Sequence, residues 1–293
     1  MDATELAMVL LSALLHAAWS ASIKGSESPL AFNLLQLGAG GVGLLLILPF
    51  FVLAEIPGRV WLLLGITGSV HALYVFLMSR AYEEADLSLV YPVIRSTPAL
   101  LPFVAVPWLG EAITWVGGVG IAVVVAGIWV LHLEPRRGRR ALLAPGLGLA
   151  WLALFTTVAY SLLDKRAMEL LSAAAWSGPA PRSLVFFFLL AATHGLFFAP
   201  LALSRIGAPE LAASWRHGLW RPTAALVASA LGYGLILEAY RTAPASYVVA
   251  VRQTSVLFAV ALAALFLAER PDRRRVLGAG ATVVGVALIA LGG

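Results

Sequence analysis

Apolar residues occur along this chain in ten long runs, which short polar segments separate. A helix needs about 20 apolar residues to cross the hydrocarbon core of a bilayer. The pattern therefore predicts an all-α membrane protein with ten transmembrane helices. The expected spans are Thr4–Ile23, Leu30–Leu53, Val60–Ser79, Leu87–Trp108, Ile113–Leu133, Leu142–Leu163, Ser183–Leu203, Leu219–Tyr240, Ala245–Leu267 and Val276–Leu291.

The second half of the chain repeats the first half. Residues that recur at one offset of 158 positions are Ala81-Tyr82 with Ala239-Tyr240, Ser88 with Ser246, Glu111 with Glu269, Gly120 with Gly278 and Gly127 with Gly285. Nearer the N-terminus the offset is 141, which relates Trp19 to Tyr160 and Lys24 to Lys165. Two blocks of five apolar helices are typical of secondary transporters built from internal repeats. We expect the repeats to occupy residues 1–135 and 141–293, and the odd number of helices in each predicts that the second is inverted.

The composition supports a membrane location and excludes several kinds of site. The chain is 61% hydrophobic and 12% charged, whereas soluble domains are about 45–50% apolar and about 25% charged. It has no cysteine, which excludes disulfides, thiolate metal sites and cysteine nucleophiles. The basic residues lie in short loops between spans, so we expect no nucleic acid as a partner, and we expect no cofactor and no metal. The expected partners are the lipid bilayer, a small-molecule substrate and, as an option, protons.

The distribution of basic residues predicts the orientation. Thirteen lysines and arginines lie in loops 1–2, 3–4, 5–6, 7–8 and 9–10, and five lie on the opposite side. The positive-inside rule then places the first set in the cytoplasm and both termini outside. We expect the cytoplasmic (inner) membrane of a prokaryote as the location. The smaller set is Arg59, Lys165, Arg166, Arg182 and Arg241.

The fourth span carries polar residues and prolines on one helical face. At the spacing i, i+4, i+7 and i+11 they are Tyr91, Arg95, Pro98 and Pro102. Prolines leave backbone carbonyls without helical donors, so this helix is expected to line a cavity. The ninth span has Arg252 and Gln253 at the matching depth. Arginine binds a carboxylate through two parallel hydrogen bonds, so Arg95 and Arg252 are predicted to hold an anionic group. The alternative is a structural role, in which they bond free carbonyls or pair with Glu238.

Histidine and aromatic residues form stripes on other spans. They are His16 and Trp19 on span 1, His71 and Tyr74 on span 3, and Tyr233 on span 8. Such stripes often pack or lie at the membrane interface, but helices near the arginine pair make them candidate ligand contacts. His16, His71 and Glu238 are candidates for proton coupling, because ionisable groups inside a membrane are commonly functional. Tyr82 and Tyr240, at span ends, are expected at the interface.

Glycines and one acidic residue outside these stripes predict packing. Gly120 and Gly127 on span 5 match Gly278 and Gly285 on span 10, with each pair two turns apart on one face. This spacing indicates tight helix packing, either as the outer support of each repeat or as a dimer surface, and leaves monomer and homodimer open. Glu111 precedes span 5, where a carboxylate is expected to cap the positive end of that helix.

These motifs resemble the drug/metabolite transporter superfamily, and within it the EamA-type transporters with ten helices. The resemblance covers nearly the whole chain and implies two inverted five-helix repeats around a central cavity that helices 1, 3, 4, 6, 8 and 9 line. Ser20 stands where relatives often have asparagine. The motifs are His16-Ala17-Ala18-Trp19 with Lys24, Pro92 with Arg95 and Pro98, Leu109-Gly110-Glu111 followed by Gly117–Gly127, and Ala268-Glu269-Arg270-Pro271 followed by Gly278–Gly285.

Relatives of this kind move small metabolites, often by proton coupling or exchange. The expected function is secondary active transport of an amino acid-like or other anion-bearing solute by alternating access. The alternatives are a channel or facilitator for small solutes and a multidrug or cation exporter. An intramembrane enzyme is not expected, because the five histidines are scattered and no Asp-rich run exists. The implied cavity set is His16, Trp19, His71, Tyr74, Tyr91, Arg95, Tyr160, Tyr233, Arg252 and Gln253.

Overall fold

In a computed structural model, residues 1–24, 26, 28–84, 87–132, 145–258, 261 and 273–292 are described. Their regular structure is entirely helical. The helices are α1 (Ala3–Lys24), α2 (Pro29–Ile47), α3 (Gly58–Glu84), α4 (Leu87–Arg95), α5 (Thr97–Leu109), α6 (Trp115–His132), α7 (Pro145–Ser172), α8 (Arg182–Leu203), α9 (Ala208–Arg216), α10 (Trp220–Ala239), α11 (Ala245–Arg252) and α12 (Arg273–Gly292).

The helices have the length and composition that a bilayer requires. In the described part of the chain, seven segments are long and apolar enough to cross a membrane, with α4 and α5 counted as one segment. Shorter apolar stretches occupy Ala3–Trp19 and Trp115–Leu131. Large apolar side chains cover the outside of the bundle, for example Phe103 at 78% and Trp115 at 84% exposure. The prediction of an all-α integral membrane protein with many spans is therefore confirmed.

Several boundaries differ from the predicted spans. α3 continues to Glu84 and α7 continues to Ser172, beyond the predicted ends at Ser79 and Leu163. Charged residues in these extensions have partners, Glu84 in Arg80 on the same helix and Lys165 in the buried Tyr240 carbonyl, so the helices need not end where the apolar run ends. α9 occupies a segment predicted as the loop between spans 7 and 8. The ninth predicted span lies outside the described residues beyond position 258, apart from residue 261.

Equivalent helices of the two halves run in opposite directions. In the contact between α2 and α8, Gly40 lies against Ala191 and Gly43 lies against Phe188. The residue numbers increase along α2 while those of the contacting residues decrease along α8, so the two helices are antiparallel. Helices α6 and α12 are also antiparallel, because Gly120 lies against Gly285 and Gly127 lies against Gly278. The inversion predicted for the second half is therefore present in the fold.

α6 and α12 touch through a glycine seam, which consists of Gly120, Gly127, Gly278 and Gly285. A Cβ atom on Gly120 would lie 2.7 Å from the carbonyl oxygen of Gly285, and one on Gly127 would lie 2.8 Å from that of Gly278. The offset of 158 maps one pair onto the other, so the seam has local two-fold symmetry. Both contacts lie within one chain. The interpretation of these glycines as a dimer surface is therefore wrong, because the chain's own helices already occupy both faces.

Helices of each half pack against helices of the other half around a common centre. In the first half, α3 and α4 both pack against α7 of the second half. Their counterparts in the second half, α10 and α11, both pack against α1 of the first half. The third and fourth helices of each half therefore contact the first helix of the other half. Besides the contacts of α2 with α8 and of α6 with α12, the interface between the halves includes α1, α3, α4, α7, α10 and α11. These elements correspond to helices 1, 3, 4, 6, 8 and 9, the set that the resemblance assigned to the cavity.

The helices of spans 4 and 9 break at equivalent positions. Helical structure is interrupted at Ser96 between α4 and α5, and it ends after Arg252 in α11. The offset of 158 relates Ser96 to Thr254. The Ser96 hydroxyl donates to the Pro92 carbonyl at 2.6 Å, and the Thr254 hydroxyl donates to the Val251 carbonyl at 2.9 Å. Such bonds bend helices, and interrupted helices are typical of binding sites in transporters.

The end of the bundle that carries both termini is closed by contacts between the halves. We call it the terminal end. The Glu5 carboxylate accepts a hydrogen bond from the Thr242 hydroxyl at 2.5 Å. The Thr114 N–H donates to the Tyr247 hydroxyl at 2.9 Å, and the Thr114 hydroxyl bonds the Gly292 carbonyl. A ten-span topology places these segments on one side, as observed.

Two loops are also joined at the terminal end. The Glu55 carboxylate accepts hydrogen bonds from the hydroxyl of Ser177 at 2.6 Å and from its N–H at 2.9 Å. Both bonds favour the ionised form and lower the pKa of Glu55 below its ordinary value. Their contribution to stability is therefore present above the ordinary pKa of a glutamate and is lost as the pH falls through the lowered value.

Glu111 caps α11 rather than α6, which corrects the expectation from the sequence. Its carboxylate accepts from the Ala245 N–H, from the Ser246 N–H at 3.2 Å and from the Ser246 hydroxyl at 2.6 Å. The carboxylate does meet the positive end of a helix. That helix belongs to the other half, because the inverted halves place the start of α11 beside the loop after α5.

Glu111→Ala is expected to destabilise the terminal end. Loss of a capping side chain costs about 1 kcal/mol, so the midpoint of thermal unfolding in detergent should fall by a few degrees. Glu210→Ala is the matched control, since Glu210 lies in the first turn of α9 and is exposed. Equal midpoints for the two variants would contradict the capping role.

Two further expectations fail near the same end. Lys165 is not a loop residue, because it lies inside α7, and its Nζ donates to the Tyr240 carbonyl at 2.6 Å and lies 3.2 Å from Glu169. Tyr240 is fully buried rather than interfacial. Sequence reasoning ended span 6 before these charged groups, whereas the fold satisfies them inside the protein. Lys165 therefore does not belong to the count of basic loop residues.

Candidate functional site

Arg95 ends α4 and contacts helix α1. Its Nη2 lies 3.1 Å from Nε2 of His16, and its guanidinium lies over the Tyr91 ring at 5.0 Å from the centroid. Arginine is always protonated and can only donate. His16 must therefore accept this hydrogen bond through Nε2, which requires a neutral imidazole with its proton on Nδ1.

Arg252 ends α11 and approaches the same region from the other half. Its guanidinium lies over the Tyr233 ring at 5.1 Å from the centroid. Its Nε is buried and has no hydrogen-bond partner among the described residues. Both arginines interact electrostatically with His16, Tyr74 and Tyr160. Two positive charges, one from each half, therefore lie near the same three side chains.

Neither arginine is neutralised by a salt bridge within the described part of the chain. The two also differ in depth. Arg252 follows Ala245, at the terminal end, by seven residues, and Arg95 precedes Leu109, at the same end, by fourteen. At 1.5 Å per residue these positions are about 10 Å and about 20 Å from that end. The expectation of equal depth was wrong, because an inverted repeat places equivalent residues at mirrored depths.

A chain of neutral hydrogen bonds lines one side of this region. The Trp19 indole N–H donates to Oε1 of Gln36 at 3.0 Å, and Nε2 of Gln36 donates to the Ser229 hydroxyl at 3.1 Å. Trp19 also lies against His16, with 5.0 Å between ring centroids. These contacts join α1, α2 and α10 and hold Trp19 beside the histidine that contacts Arg95.

A buried acidic cluster lies on the other side of this region. It consists of Asp164, Thr67, His71 and Tyr233, and Asp164 has no exposed surface. Oδ1 of Asp164 accepts from the Thr67 hydroxyl at 2.7 Å. Oδ2 accepts from the Tyr233 hydroxyl at 2.5 Å and lies 3.1 Å from Nε2 of His71. The carboxylate of α7 therefore connects α3 of the first half with α10 of the second.

Aromatic rings extend the buried acidic cluster toward the arginines. His71 stacks on Tyr160 with 4.0 Å between centroids, and Tyr74 meets the edge of Tyr160 at 5.6 Å. His194 of α8 lies 5.8 Å from His71 between ring centroids, and its Nε2 is buried without a hydrogen-bond partner among the described residues. The arrangement has flat apolar faces beside cationic groups, which suits an organic solute with an anionic end.

Two predicted residues stand apart from these contacts. The Gln253 side chain is buried, and its Nε2 donates to the Val249 carbonyl of its own helix at 3.1 Å. Glu238 forms an ion pair with Arg241, whose Nε donates to Ser172 at 2.9 Å. Within the described residues no hydrogen bond joins either one to Arg95, Arg252 or the buried acidic cluster. Glu238 therefore lies in a local ion pair near the end of α10.

The fold brings most of the predicted site residues together and adds others. His16, Trp19, His71, Tyr74, Tyr91, Arg95, Tyr160, Tyr233 and Arg252 are connected by contacts or electrostatic interactions. Sequence reasoning missed Asp164, Thr67, His194 and Ser229. The apolar run predicts the end of span 6 at Leu163, and this prediction leaves Asp164 in a loop. Its spacing of four residues from Tyr160 is the signal that the two share a helical face.

Comparisons with known proteins agree with this architecture. The model of the EamA-like transporter family matches residues 3–133 and 144–291. A solved structure described as "Crystal structure of protein" superposes with a TM-score of 0.72 at 19% sequence identity, and the match covers 99% of this chain and 99% of that one. At this identity the likeness shows the fold alone. No curated protein matches the sequence.

Proposed function

The chain belongs to the EamA-like transporter family, and from this premise we propose that it is a secondary active transporter for a small organic solute with an anionic group. Membership makes the chain an integral membrane transporter of small solutes within the drug/metabolite transporter superfamily, a group of transporters rather than enzymes. The amino acid-like or other carboxylate-bearing solute, the alternating access, and the coupling to protons or exchange are parts of the proposal. A prokaryotic cytoplasmic membrane is the proposed location.

The observation that carries the proposal is the convergence of Arg95 and Arg252. They end interrupted helices from opposite halves, and both interact with His16, Tyr74 and Tyr160. Charged side chains inside a membrane are costly and usually face a partner or a water-filled space. Since no salt bridge neutralises these two in the described residues, an anionic solute is the partner that their charges favour.

The geometry suggests how each group contributes to binding. Arg95 is already held by His16 and Tyr91, so little side-chain freedom is lost when it binds an anion through its remaining N–H groups. Arg252 has an unpartnered Nε and rests on Tyr233. The faces of Tyr74 and Tyr160 would pack against the apolar part of the solute. Binding between the halves then links solute occupancy to their relative position, as alternating access requires.

A ligand screen with purified protein tests the anionic preference. The panel contains L-amino acids, dicarboxylates, nucleotides and the cation tetraphenylphosphonium. Carboxylate-bearing compounds are expected to raise the thermal midpoint, because a ligand at 100 times its Kd adds about 2.7 kcal/mol of stability. Tetraphenylphosphonium is expected to leave it unchanged, because the arginines repel a cation.

Arg216→Ala is the matched control in this screen. Arg216 is an exposed arginine at the end of α9, and its loss should not alter the response to any compound. A set of stabilising compounds confined to cations would overturn the anionic preference and would favour the multidrug exporter instead.

A further inference from the structure

Asp164 is buried where a negative charge is costly. It has no exposed surface, and an ionised carboxylate inside a membrane requires close partners. The adjacent Lys165 does not supply them, since its ammonium group binds the Tyr240 carbonyl and Glu169. The partners are three neutral-type donors, Thr67, His71 and Tyr233. Because no lysine or arginine is paired with Asp164 among the described residues, its carboxyl group can be either ionised or protonated.

The buried acidic cluster has no counterpart in the other half. The repeat offsets relate Tyr160 to Trp19, His71 to Ser229 and Asp164 to Ile23. The equivalent interface between α1 and α10 is therefore joined by Trp19, Gln36 and Ser229, which do not titrate. One of two related interfaces has a proton-binding group and the other has neutral bonds. Packing alone does not require this difference, because the neutral bonds connect the same kinds of helices.

We propose that Asp164 binds the transported proton, and that His71 delivers it. The inference rests on the transport function proposed above and names its coupling ion. The proton passes from Nε2 of a protonated His71 to Oδ2 of Asp164, which leaves a neutral imidazole and a neutral carboxyl group. The His71 side chain is 13% exposed whereas that of Asp164 is fully buried, so the histidine is the group that exchanges protons with water.

Protonation of Asp164 changes the contact between the halves. The ionised carboxylate accepts from α3 through Thr67 and His71, and from α10 through Tyr233. A neutral carboxyl group has one O–H donor and one fewer acceptor site. A proton on Oδ2 is donated to Nε2 of the neutral His71, which reverses the direction of that bond, and the bonds from Thr67 and Tyr233 weaken because they are no longer assisted by a negative charge. The bond between α3 and α7 therefore depends on the proton.

The surrounding charges link the proton to the anionic solute. Besides His71, Asp164 interacts electrostatically with Tyr160, Tyr233 and Tyr240. The charged or titratable groups beyond them are His194, which lies beside His71, Arg252, which lies over Tyr233, and Lys165, which binds the Tyr240 carbonyl. An anion bound at Arg252 repels an ionised Asp164 and favours its protonated form. Solute and proton therefore bind together, which corresponds to symport.

Infrared difference spectroscopy of protein in lipid tests the proton site without any solute. In wild-type protein a carboxylic acid carbonyl band should appear as the pH is lowered from about 8 to about 5, the interval in which histidine side chains as a class change charge. Asp164→Asn should abolish that band. Glu238→Gln is the matched control and should retain it, since Glu238 lies in a local ion pair. Absence of the band from wild type, or an unchanged band in Asp164→Asn, would overturn the assignment.

A second variant keeps the test valid if Asp164→Asn does not fold. Tyr233→Phe removes a hydroxyl that donates to Asp164 and leaves the ring under Arg252. The titration midpoint of the carbonyl band should be displaced in this variant, because the loss of a donor changes the balance between the two forms. A midpoint identical to that of wild type would contradict the proposal.

Transport assays separate the coupling from the transport itself. Proteoliposomes with an alkaline interior are supplied with a radiolabelled mixture of L-amino acids, with and without a protonophore. Wild type should accumulate label only while the gradient persists, and Asp164→Asn should exchange label across the membrane without accumulating it. Accumulation by Asp164→Asn would overturn the coupling role. Absence of all amino acid transport by wild type would instead count against the proposed function, while the infrared result would still decide whether Asp164 binds the proton.

Discussion

Arg95→Ala is expected to lower the uptake of carboxylate-bearing solutes into proteoliposomes by about 10- to 100-fold. Hydrogen bonds to charged groups contribute about 1.5–3 kcal/mol each, and this variant removes the guanidinium that His16 and Tyr91 hold in place. Initial uptake rates over a range of solute concentrations would measure the effect. The loss should appear mainly as weaker apparent affinity if Arg95 binds the anion in the starting state.

The controls for this prediction separate charge from folding. Arg95→Lys retains a positive charge but cannot form two parallel hydrogen bonds, so its uptake should fall between those of wild type and Arg95→Ala. Arg216→Ala should transport as wild type does, since Arg216 is exposed at the end of α9. Wild-type uptake by a folded Arg95→Ala would refute the anionic site and would leave Arg95 with a structural role.

Gly120→Ala and Gly127→Ala are expected to lower the stability of the protein strongly, because each adds a methyl group to α6 where it packs on α12. The added Cβ would meet backbone atoms of α12, the Gly285 carbonyl oxygen at 2.7 Å in one case and the Gly278 carbonyl oxygen at 2.8 Å in the other. Backbone cannot move aside as a flexible side chain can, so the helices must separate. Overpacking of this kind costs about 1–3 kcal/mol, which thermal unfolding in detergent would measure.

Gly118→Ala is the matched control in the same helix. Its Cβ would have Ile113 as its nearest neighbour at 3.8 Å, which is ordinary van der Waals contact. Alanine also favours a helix over glycine by up to about 1 kcal/mol, so this variant should unfold at the same temperature as wild type or slightly higher. If Gly118→Ala and Gly127→Ala lowered the unfolding temperature equally, the effect would come from replacing glycine anywhere in α6 and would not come from the contact with α12.

The architecture follows from the sequence because its signals are periodic and repeated. Apolar runs predict the spans, and a constant offset over Gly120, Gly127, Gly278 and Gly285 predicts two related halves. An odd number of helices per half then requires inversion. The partner of each glycine was not predictable in the same way, because spacing indicates that a face packs closely but does not identify what it packs against. Only the fold shows that α6 meets α12 within one chain.

The candidate site is harder to predict from the sequence than the fold, because its polar residues form hydrogen bonds with one another inside the protein. Asp164 and Lys165 follow an apolar run and look like the start of a loop, yet both are buried, with partners on α3 and beyond α10. Hydrophobicity alone ends the span where the first charge appears. The partners Thr67 and Ser229 are distant in sequence and carry no charge, so no local pattern marks them. Arg95 was identified because a charge in the middle of a span is rare.

The glycine seam contains no ionisable side chain, so acid, salt and membrane voltage leave its strength almost unaltered. The junction at Asp164, in the proposed cycle, weakens whenever a proton arrives. In that proposed cycle α6 and α12 would act as a pivot, about which the halves would separate instead of dissociating. Acidity would then control the angle between the halves, while the glycine seam would preserve their alignment.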